Sequence, residues 1–253
     1  MLINSCSETK VKDARSKSPT NPSLFNDFIP AYLYNIPSFE IQRGTQIDQI
    51  IGKYKIFGNV DTINASKVYL KITDSLESTI YQGPVLDGKK DGWWEVSNNK
   101  TLLCCGNYIL NKKNGYWRYF KLTGETQKIV NFKNDTIEGL AQEYTVDSIL
   151  LAEGYYVSGL KSDFWKFFYN NGNIKEQGYF YDGYKSEWWQ SFEANGNLNV
   201  EASYSKNEIS GYMKKYSQGI LSEEGKLYNG IRKGMWKSYD ETGKLKRLVE
   251  HED

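Results

Sequence analysis

The chain of 253 residues has little of what most catalytic sites are built from. Its single histidine, His251, lies in a charged segment close to the C-terminus, where we expect a solvated side chain. Ser–His and Cys–His catalysis are therefore not favoured. The three cysteines are Cys6, Cys104 and Cys105, and the last two are adjacent, whereas zinc sites use pairs two to four residues apart. Because adjacent strand residues point to opposite faces, we expect at most one of these two to be buried.

Other absences exclude further classes. The formal net charge is +1, so charge offers no argument for nucleic-acid binding. No run of 18 apolar residues is present, so no transmembrane helix is expected. No Gly-rich segment ends in Lys-Ser or Lys-Thr before a helix, as a phosphate-binding loop would. Several acids stand near aromatic residues, as in carbohydrate sites, but strand-surface charges look the same: Asp182, Glu187, Glu193 and Glu201. We predict a non-enzymatic protein without a cofactor or metal.

What the chain does have is an internal repeat. Residues 154–177 and 178–201 agree position by position, from an opening glycine to a closing Asn-Gly-Asn. One position, which we call the anchor, recurs at spacings of 23 or 24 residues and is tryptophan in five of seven units. The anchors are Trp94, Trp117, Ala141, Trp165, Trp189, Met213 and Trp236.

Other positions keep the same register. Three residues after the anchor stands an aromatic residue in six units, which we call the second ring: Phe120, Tyr144, Phe168, Phe192, Tyr216 and Tyr239. Eleven residues before the anchor stands a glycine in five units: Gly83, Gly106, Gly154, Gly178 and Gly225. Two residues before it stands glycine in five units and an acid, Asp163 or Glu187, in the other two. We treat the anchors and second rings as candidate structural or binding residues.

Each unit has the pattern of a β-hairpin. Two short stretches rich in aromatic and β-branched residues are separated by turn dipeptides such as Ser158-Gly159 and Asn171-Gly172, which reach positive φ at low cost. A lone hairpin is marginal in water, so the units must pair with one another. The sequence therefore predicts an all-β, elongated single-sheet array of about seven antiparallel hairpin units. An anchor and its second ring are an odd number of residues apart, so either both faces are used or a bulge re-aims one ring.

These features resemble a known family. The segments GNYILNKKNGYWRYFKLTGE (106–125) and GKLYNGIRKGMWKSYDETGKL (225–245) are similar to the MORN repeat, and more closely to its variant in bacterial YwqK-type antitoxin components. The resemblance covers roughly residues 81–248. It implies an extended, curved all-β array that binds proteins and, in some members, lipid. Repeat scaffolds are reused widely, so it is more specific for fold than for function.

The rest of the chain divides around this array. Residues 1–23 are polar and predict a disordered tether. Residues 24–80 predict an N-terminal β cap, with a short helix at 45–51 and a degenerate repeat in which Gly58 is the opening glycine and Tyr69 the anchor. Residues 81–248 form the repeat array, and 249–253 a charged tail.

The first residues also bear on where in the cell the protein is located. Leu2 to Cys6 resembles the end of a bacterial lipoprotein signal, but only five residues precede Cys6, fewer than an export signal needs. A start further upstream, or a signal missing from the chain as given, would make Cys6 a lipidated residue in the cell envelope. Otherwise Cys6 belongs to an ordinary tail of a cytoplasmic protein.

Lysines just before the anchors leave a further choice: Lys112, Lys113, Lys161, Lys185 and Lys233. They predict either a basic stripe for phospholipid headgroups or, more in keeping with the interleaved acids, solvated residues that protect a strand edge. For function we expect a monomeric scaffold that docks an unidentified protein partner on an aromatic-rich sheet. The alternatives are an antitoxin or immunity protein with one dedicated toxin, and envelope lipid or carbohydrate binding.

Overall fold

Strands form wherever aromatic and β-branched residues are dense, and turn dipeptides separate them. The computed structural model describes Gly44 and residues 46–64 and 66–252. The first nine strands are β1 (Gln46–Ile51), β2 (Tyr54–Val60), β3 (Lys67–Asp74), β4 (Thr79–Leu86), β5 (Lys89–Lys90), β6 (Gly92–Asn98), β7 (Thr101–Ile109), β8 (Lys112–Phe120) and β9 (Thr126–Lys133). The other ten are β10 (Thr136–Tyr144), β11 (Leu150–Val157), β12 (Leu160–Phe168), β13 (Ile174–Tyr181), β14 (Tyr184–Phe192), β15 (Leu198–Ser205), β16 (Glu208–Ser217), β17 (Ile220–Tyr228), β18 (Ile231–Tyr239) and β19 (Leu245–His251).

The nineteen strands of the described residues belong to one antiparallel sheet in which, apart from β5 and β6, each strand pairs with its neighbours in sequence. Strands β5 and β6 both pair with β4 and act as one interrupted strand. The sheet is open, with β1 and β19 at its two edges. The prediction of an all-β array of hairpin repeats in a single sheet is therefore confirmed.

The hairpin turns have the predicted chemistry. At Ser158-Gly159 both residues have positive φ, +51° and +81°, and the flanking residues Val157 and Leu160 pair directly, as in a two-residue type I′ turn. The amide of Gly159 also donates a hydrogen bond to the carbonyl of Ile137 in the preceding unit, at 3.0 Å. The same bond joins Gly183 to Lys161 at 2.9 Å. Each turn thus ties its hairpin to the one before it.

The N-terminal part differs from the prediction at two points. Residues 46–51 form strand β1, and the expected helix is wrong, because this segment pairs along its length with β2 and buries Ile47. In the degenerate repeat, Gly58 lies opposite Leu70. Leu70 is fully buried, whereas Tyr69 is exposed. Leu70 is therefore the anchor of this unit, and it stands 24 residues before Trp94 like the regular anchors.

The core lies on one face of the sheet. We call the face that carries Trp165 the front face and the opposite one the back face. Buried front-face side chains form a continuous cluster from Ile47 to Trp189. Trp and Tyr or Phe rings alternate along it, mostly edge to face, with centroids 5.0 Å apart for Tyr108 and Trp117 and 5.1 Å for Phe180 and Trp189.

The C-terminal strand reaches further than the predicted array. Strand β19 runs through His251, three residues into the segment expected to be a charged tail. His251 is half-buried and its ring meets Trp236 edge-on, with centroids 6.4 Å apart. The expectation of a solvated histidine was wrong, because Gly234 on β18 pairs with His251 and holds it in the sheet.

Candidate functional site

The anchor is buried, whereas the residue before it is exposed. Trp189 is 3% exposed on the front face, and Trp188, the preceding residue of the same strand, is 38% exposed on the back face. Strand alternation requires this separation. The predicted anchors and the exposed aromatic side chains that precede them are therefore on different sides of the sheet.

The anchors are held by contacts within the chain. The ring of Trp165 lies against the backbone at Gly154, so closely that a Cβ there would come within 2.2 Å of the indole. Its Nε1 donates to the carbonyl of Tyr155 at 2.9 Å. The rings of Tyr156 and Phe180 meet it edge-on. An indole bond to the carbonyl ten residues earlier recurs in all five Trp units: Trp94, Trp117, Trp165, Trp189 and Trp236. These anchors are placed as structural residues.

Two units lack tryptophan at the anchor, and the surrounding positions change with it. The opposing residue is no longer glycine, and the position four before the anchor becomes isoleucine. The three residues are Val130, Ala141 and Ile137 in one unit and Ala202, Met213 and Ile209 in the other. A smaller anchor leaves room for an opposing side chain, which explains why these two units have no glycine eleven residues before the anchor.

In the Trp units the position four before the anchor is a cation that lies over the indole ring. The distances from the cation to the ring centroid range from 4.1 to 5.8 Å for Lys90 on Trp94, Lys113 on Trp117, Lys161 on Trp165, Lys185 on Trp189 and Arg232 on Trp236. Burial lowers the pKa of Lys161 below the ordinary value for lysine. Neither sequence interpretation of these lysines was right for Lys113, Lys161 and Lys185, which cover the core by cation–π contact. Lys112 and Lys233 are outside this register.

The second rings lie on the back face. The odd spacing between an anchor and its second ring therefore means that the two rings occupy opposite faces of the sheet, and no bulge brings them to the same face. Trp165 stacks with Phe167, two residues on, and not with Phe168. A register shift follows in the next strand pair, between Phe167 and Phe168. The second rings are all half-buried: Phe120, Tyr144, Phe168, Phe192, Tyr216 and Tyr239.

Polar side chains hydrogen-bond with these rings across the back face. Glu224 is buried and accepts bonds from Tyr239 at 2.6 Å, Tyr212 at 2.7 Å and Lys237 at 3.2 Å. These donors hold the pKa of Glu224 below its usual value, with Tyr239 as the largest cause. The same carboxylate raises the pKa of Tyr212 to about 12. Tyr216 bonds likewise to Glu201, at 2.9 Å.

The residue before each anchor forms a row along the back face that sequence reasoning did not single out. Seven of its eight members are exposed by 37% to 49%, and Tyr212 is half-buried. The row is Tyr69, Trp93, Tyr116, Leu140, Phe164, Trp188, Tyr212 and Met235. The signal was present in the doublets Trp93-Trp94, Phe164-Trp165 and Trp188-Trp189, because alternation forces one residue of each doublet out of the front-face core.

The row widens into a patch in the middle of the sheet. Tyr155 lies opposite Leu140, and Tyr179 lies opposite Phe164 with ring centroids 5.1 Å apart. Both tyrosines are exposed. We call Leu140, Tyr155, Phe164, Tyr179 and Trp188 the central patch. Contiguous exposed aromatic surface of this kind marks interaction sites on folded proteins.

Two acids flank the central patch in a conformation that favours glycine. Asp163 and Glu187 have φ of +58° and +61°, at the position where the other units have glycine. The five glycines, all with positive φ, are Gly92, Gly115, Gly139, Gly211 and Gly234.

The direction of these acid side chains follows from equivalent units. A Cβ at Gly92 would lie 2.6 Å from the side chain of Pro84, and one at Gly211 would lie 3.0 Å from Ser203. Pro84 pairs with Tyr69 and Ser203 pairs with Trp188, so both belong to the back face. We therefore place the carboxylates of Asp163 and Glu187 on the back face, beside the central patch. Both residues are exposed.

Two of the three cysteines lie among the described residues. Cys104 and Cys105 are both buried, contrary to expectation, because both faces of β7 are covered at this point. Burial raises the pKa of the Cys105 thiol. Cys6 lies outside the described residues. Within 46–64 and 66–252 no cluster of three or more His, Cys, Asp or Glu side chains could hold a metal ion.

Comparisons with known proteins leave the site to be interpreted from its geometry. Neither models of protein families nor curated proteins gave a match to this chain. In the part of the chain that the structure describes, no helix has the length and apolar character needed to cross a membrane.

Proposed function

We propose that the protein is a non-enzymatic scaffold that docks a protein partner on the central patch of its back face. The observation that carries this proposal is the contrast between the two aromatic rows. The front row is covered by the chain's own cations and rings, whereas the row on the back face stays exposed in nearly every unit. Large exposed aromatic side chains supply much of the energy of protein interfaces.

The sheet architecture supports the proposal. Phe164 and Trp188 stand on strands that pair on both sides over most of their length, so their positions are fixed before a partner arrives. A preorganised surface loses less conformational entropy on binding than a flexible loop does.

Site-specific photo-crosslinking tests this function. The photoreactive residue p-benzoylphenylalanine replaces Trp188 in one variant of the full chain and Leu122 in another. Leu122 is 75% exposed on a turn and serves as the control. In a lysate of the organism that makes the protein, we expect a discrete protein adduct from position 188 and none from position 122. No adduct from position 188, or the same adduct from both, would contradict the proposal.

A polysaccharide is a second candidate, because the exposed rings recur every two strands, about 9.6 Å apart for a strand spacing of about 4.8 Å. This is close to the length of two sugar rings in an extended β-1,4-linked chain. Binding of N-acetylglucosamine oligomers that quenches the fluorescence of the protein and is lost in Trp188→Ala would favour it.

We also propose, from the repeat alone, that the chain is related to MORN-repeat proteins. A toxin would be one special case of a dedicated protein partner. A lipidated Cys6 remains a prediction, and incorporation of labelled palmitate into the product of the full upstream reading frame, but not into its Cys6→Ser variant, tests it.

A further inference from the structure

We infer that the partner segment on the central patch is basic and extended, with a lysine or arginine at every third residue. This inference rests on the proposed protein-binding function and adds the chemistry and conformation of the partner. It is carried by the charges beside the patch, by the cation–π contacts of the front face, and by the spacing of the units.

The two charged side chains beside the patch, Asp163 and Glu187, are both acidic. In the part of the chain that the structure describes, neither Asp163 nor Glu187 has an ion-pair partner. Lys166, on the same face, lies directly opposite Glu153 in the register, so the net charge of these two residues is zero. The patch therefore presents two carboxylates without a counter-charge, and a cationic partner is complementary to it.

The front face shows what such a cation would contact. There Lys161 lies 4.3 Å from the ring centroid of Trp165, and Lys185 lies 4.1 Å from that of Trp189. On the back face, no lysine or arginine of the described residues lies over Phe164, Tyr179 or Trp188. Phe164 and Trp188 instead each have a carboxylate next to them in sequence, Asp163 and Glu187. A cation from a partner would gain a ring contact and an ion pair together.

The spacing of the subsites selects the conformation of the partner. Asp163 with Phe164 forms one subsite and Glu187 with Trp188 forms the next, two strands away, which is about 9.6 Å. A polyproline II segment advances about 9.3 Å over three residues, and every third side chain points the same way. A β-strand places residues three apart on opposite faces and does not match. A polyproline II segment with a cation at every third position fits both subsites.

Synthetic peptides provide the test. The first peptide has four Lys-Pro-Pro triplets, the second has the same composition with its lysines contiguous at one end, and the third has glutamine in place of lysine. Each is titrated calorimetrically into the full chain. We expect the first to bind roughly tenfold more tightly than the second or third, because only its lysines can meet a ring and a carboxylate at both subsites.

Matched variants locate the effect. Asp163→Asn with Glu187→Gln should weaken binding of the first peptide roughly three- to tenfold, because it removes two exposed ion pairs and leaves the ring contacts in place. The control is Glu208→Gln with Glu241→Gln, which removes the same charge from two exposed acids away from the patch and should leave binding unchanged.

The outcomes separate this inference from the function on which it rests. Equal binding of the glutamine peptide, or equal weakening by both double variants, would overturn the basic partner, and photo-crosslinking at position 188 would still decide protein binding. Equal binding of the contiguous-lysine peptide would overturn the three-residue period. Binding of N-acetylglucosamine oligomers without binding of the first peptide would overturn the basic partner as well. A lack of crosslinks together with a lack of peptide binding would remove both proposals.

Discussion

Trp188 and Trp189 are the same residue type, adjacent in one strand, and they differ in everything around them. Trp189 lies against Gly178, donates its indole N–H to the carbonyl of Tyr179, and is covered by Lys185. Trp188 faces solvent, opposite Ser203 on the next strand. The sheet therefore has one face on which other residues of the chain cover the aromatic side chains and one on which aromatic side chains stay exposed.

The two faces also respond differently to substitution between units. On the front face a change of anchor is accompanied by changes at the opposing residue and at the cation, as the Ala141 and Met213 units show. On the back face the exposed row changes among Trp, Tyr, Phe, Leu and Met, and the opposing residue varies from proline and asparagine to tyrosine, lysine and glutamate with no fixed relation to it. Packing thus constrains the front row closely and requires little of the back row beyond an apolar side chain.

The largest expected effect comes from exchanging these two tryptophans for alanine one at a time. Trp189→Ala should lower the free energy of unfolding by about 3–5 kcal/mol, as removal of a large buried aromatic does. Trp188→Ala has the same composition and should cost about 1 kcal/mol or less, because its ring is already partly in water. Urea melts of both variants measure the difference. Equal losses would mean that the two faces are not distinct in packing.

A second prediction concerns the coupling between anchor and glycine. Gly154→Val places a side chain against the Trp165 ring, and Trp165→Ala leaves a cavity, so each change alone is destabilising. The double variant reproduces the Val130 and Ala141 pair found one unit earlier. We expect it to be more stable than the sum of the single losses implies, by about 1–3 kcal/mol. A double-mutant cycle from urea melts measures this coupling, and strict additivity would contradict it.

Sequence could predict the repeat, the hairpins and the buried anchors, because turn glycines and tryptophans recur at fixed separations. It could not place the cations, since the contact of Lys161 with Trp165 depends on the bulge around Asp163, which sequence spacing does not reveal. It mistook Tyr69 for an anchor because the unit at Gly58 pairs without the bulge: Gly58 and its partner Leu70 are 12 residues apart, whereas the other opening glycines stand 11 residues before their anchors. The exposed row was missed because both residues of an aromatic doublet look like core until alternation is applied.

A third prediction uses pH to probe the polar network of the back face. The pKa of Glu224 is lowered in the folded state, so its contribution to stability is present above the unfolded pKa, about 4.3, and is lost as the pH falls through the folded value. Glu224→Gln should lower the free energy of unfolding by about 1–2 kcal/mol at neutral pH, typical of a lost charged hydrogen bond. It should also flatten the acid limb of the stability curve. Glu208→Gln, at an exposed acid, is the control, and an unchanged acid limb in Glu224→Gln would contradict the prediction.

The smallest expected effect separates stability from function on the back face. Glu187 has φ of +61°. In this conformation a residue with a Cβ is less stable than glycine by about 1–2 kcal/mol. Glycine loses about 0.5–1 kcal/mol of this advantage, because its unfolded state has more conformational entropy. Glu187→Gly should therefore stabilise the sheet by roughly 0.5–1 kcal/mol in urea melts. The reverse change, Gly115→Glu, should destabilise it by a similar amount, because a Cβ there meets nothing within 4 Å and only the backbone conformation opposes it. If Glu187 contacts the partner, the more stable Glu187→Gly variant should bind the Lys-Pro-Pro peptide more weakly than the wild type. A variant that is more stable and binds equally well would show that this acid has no part in recognition.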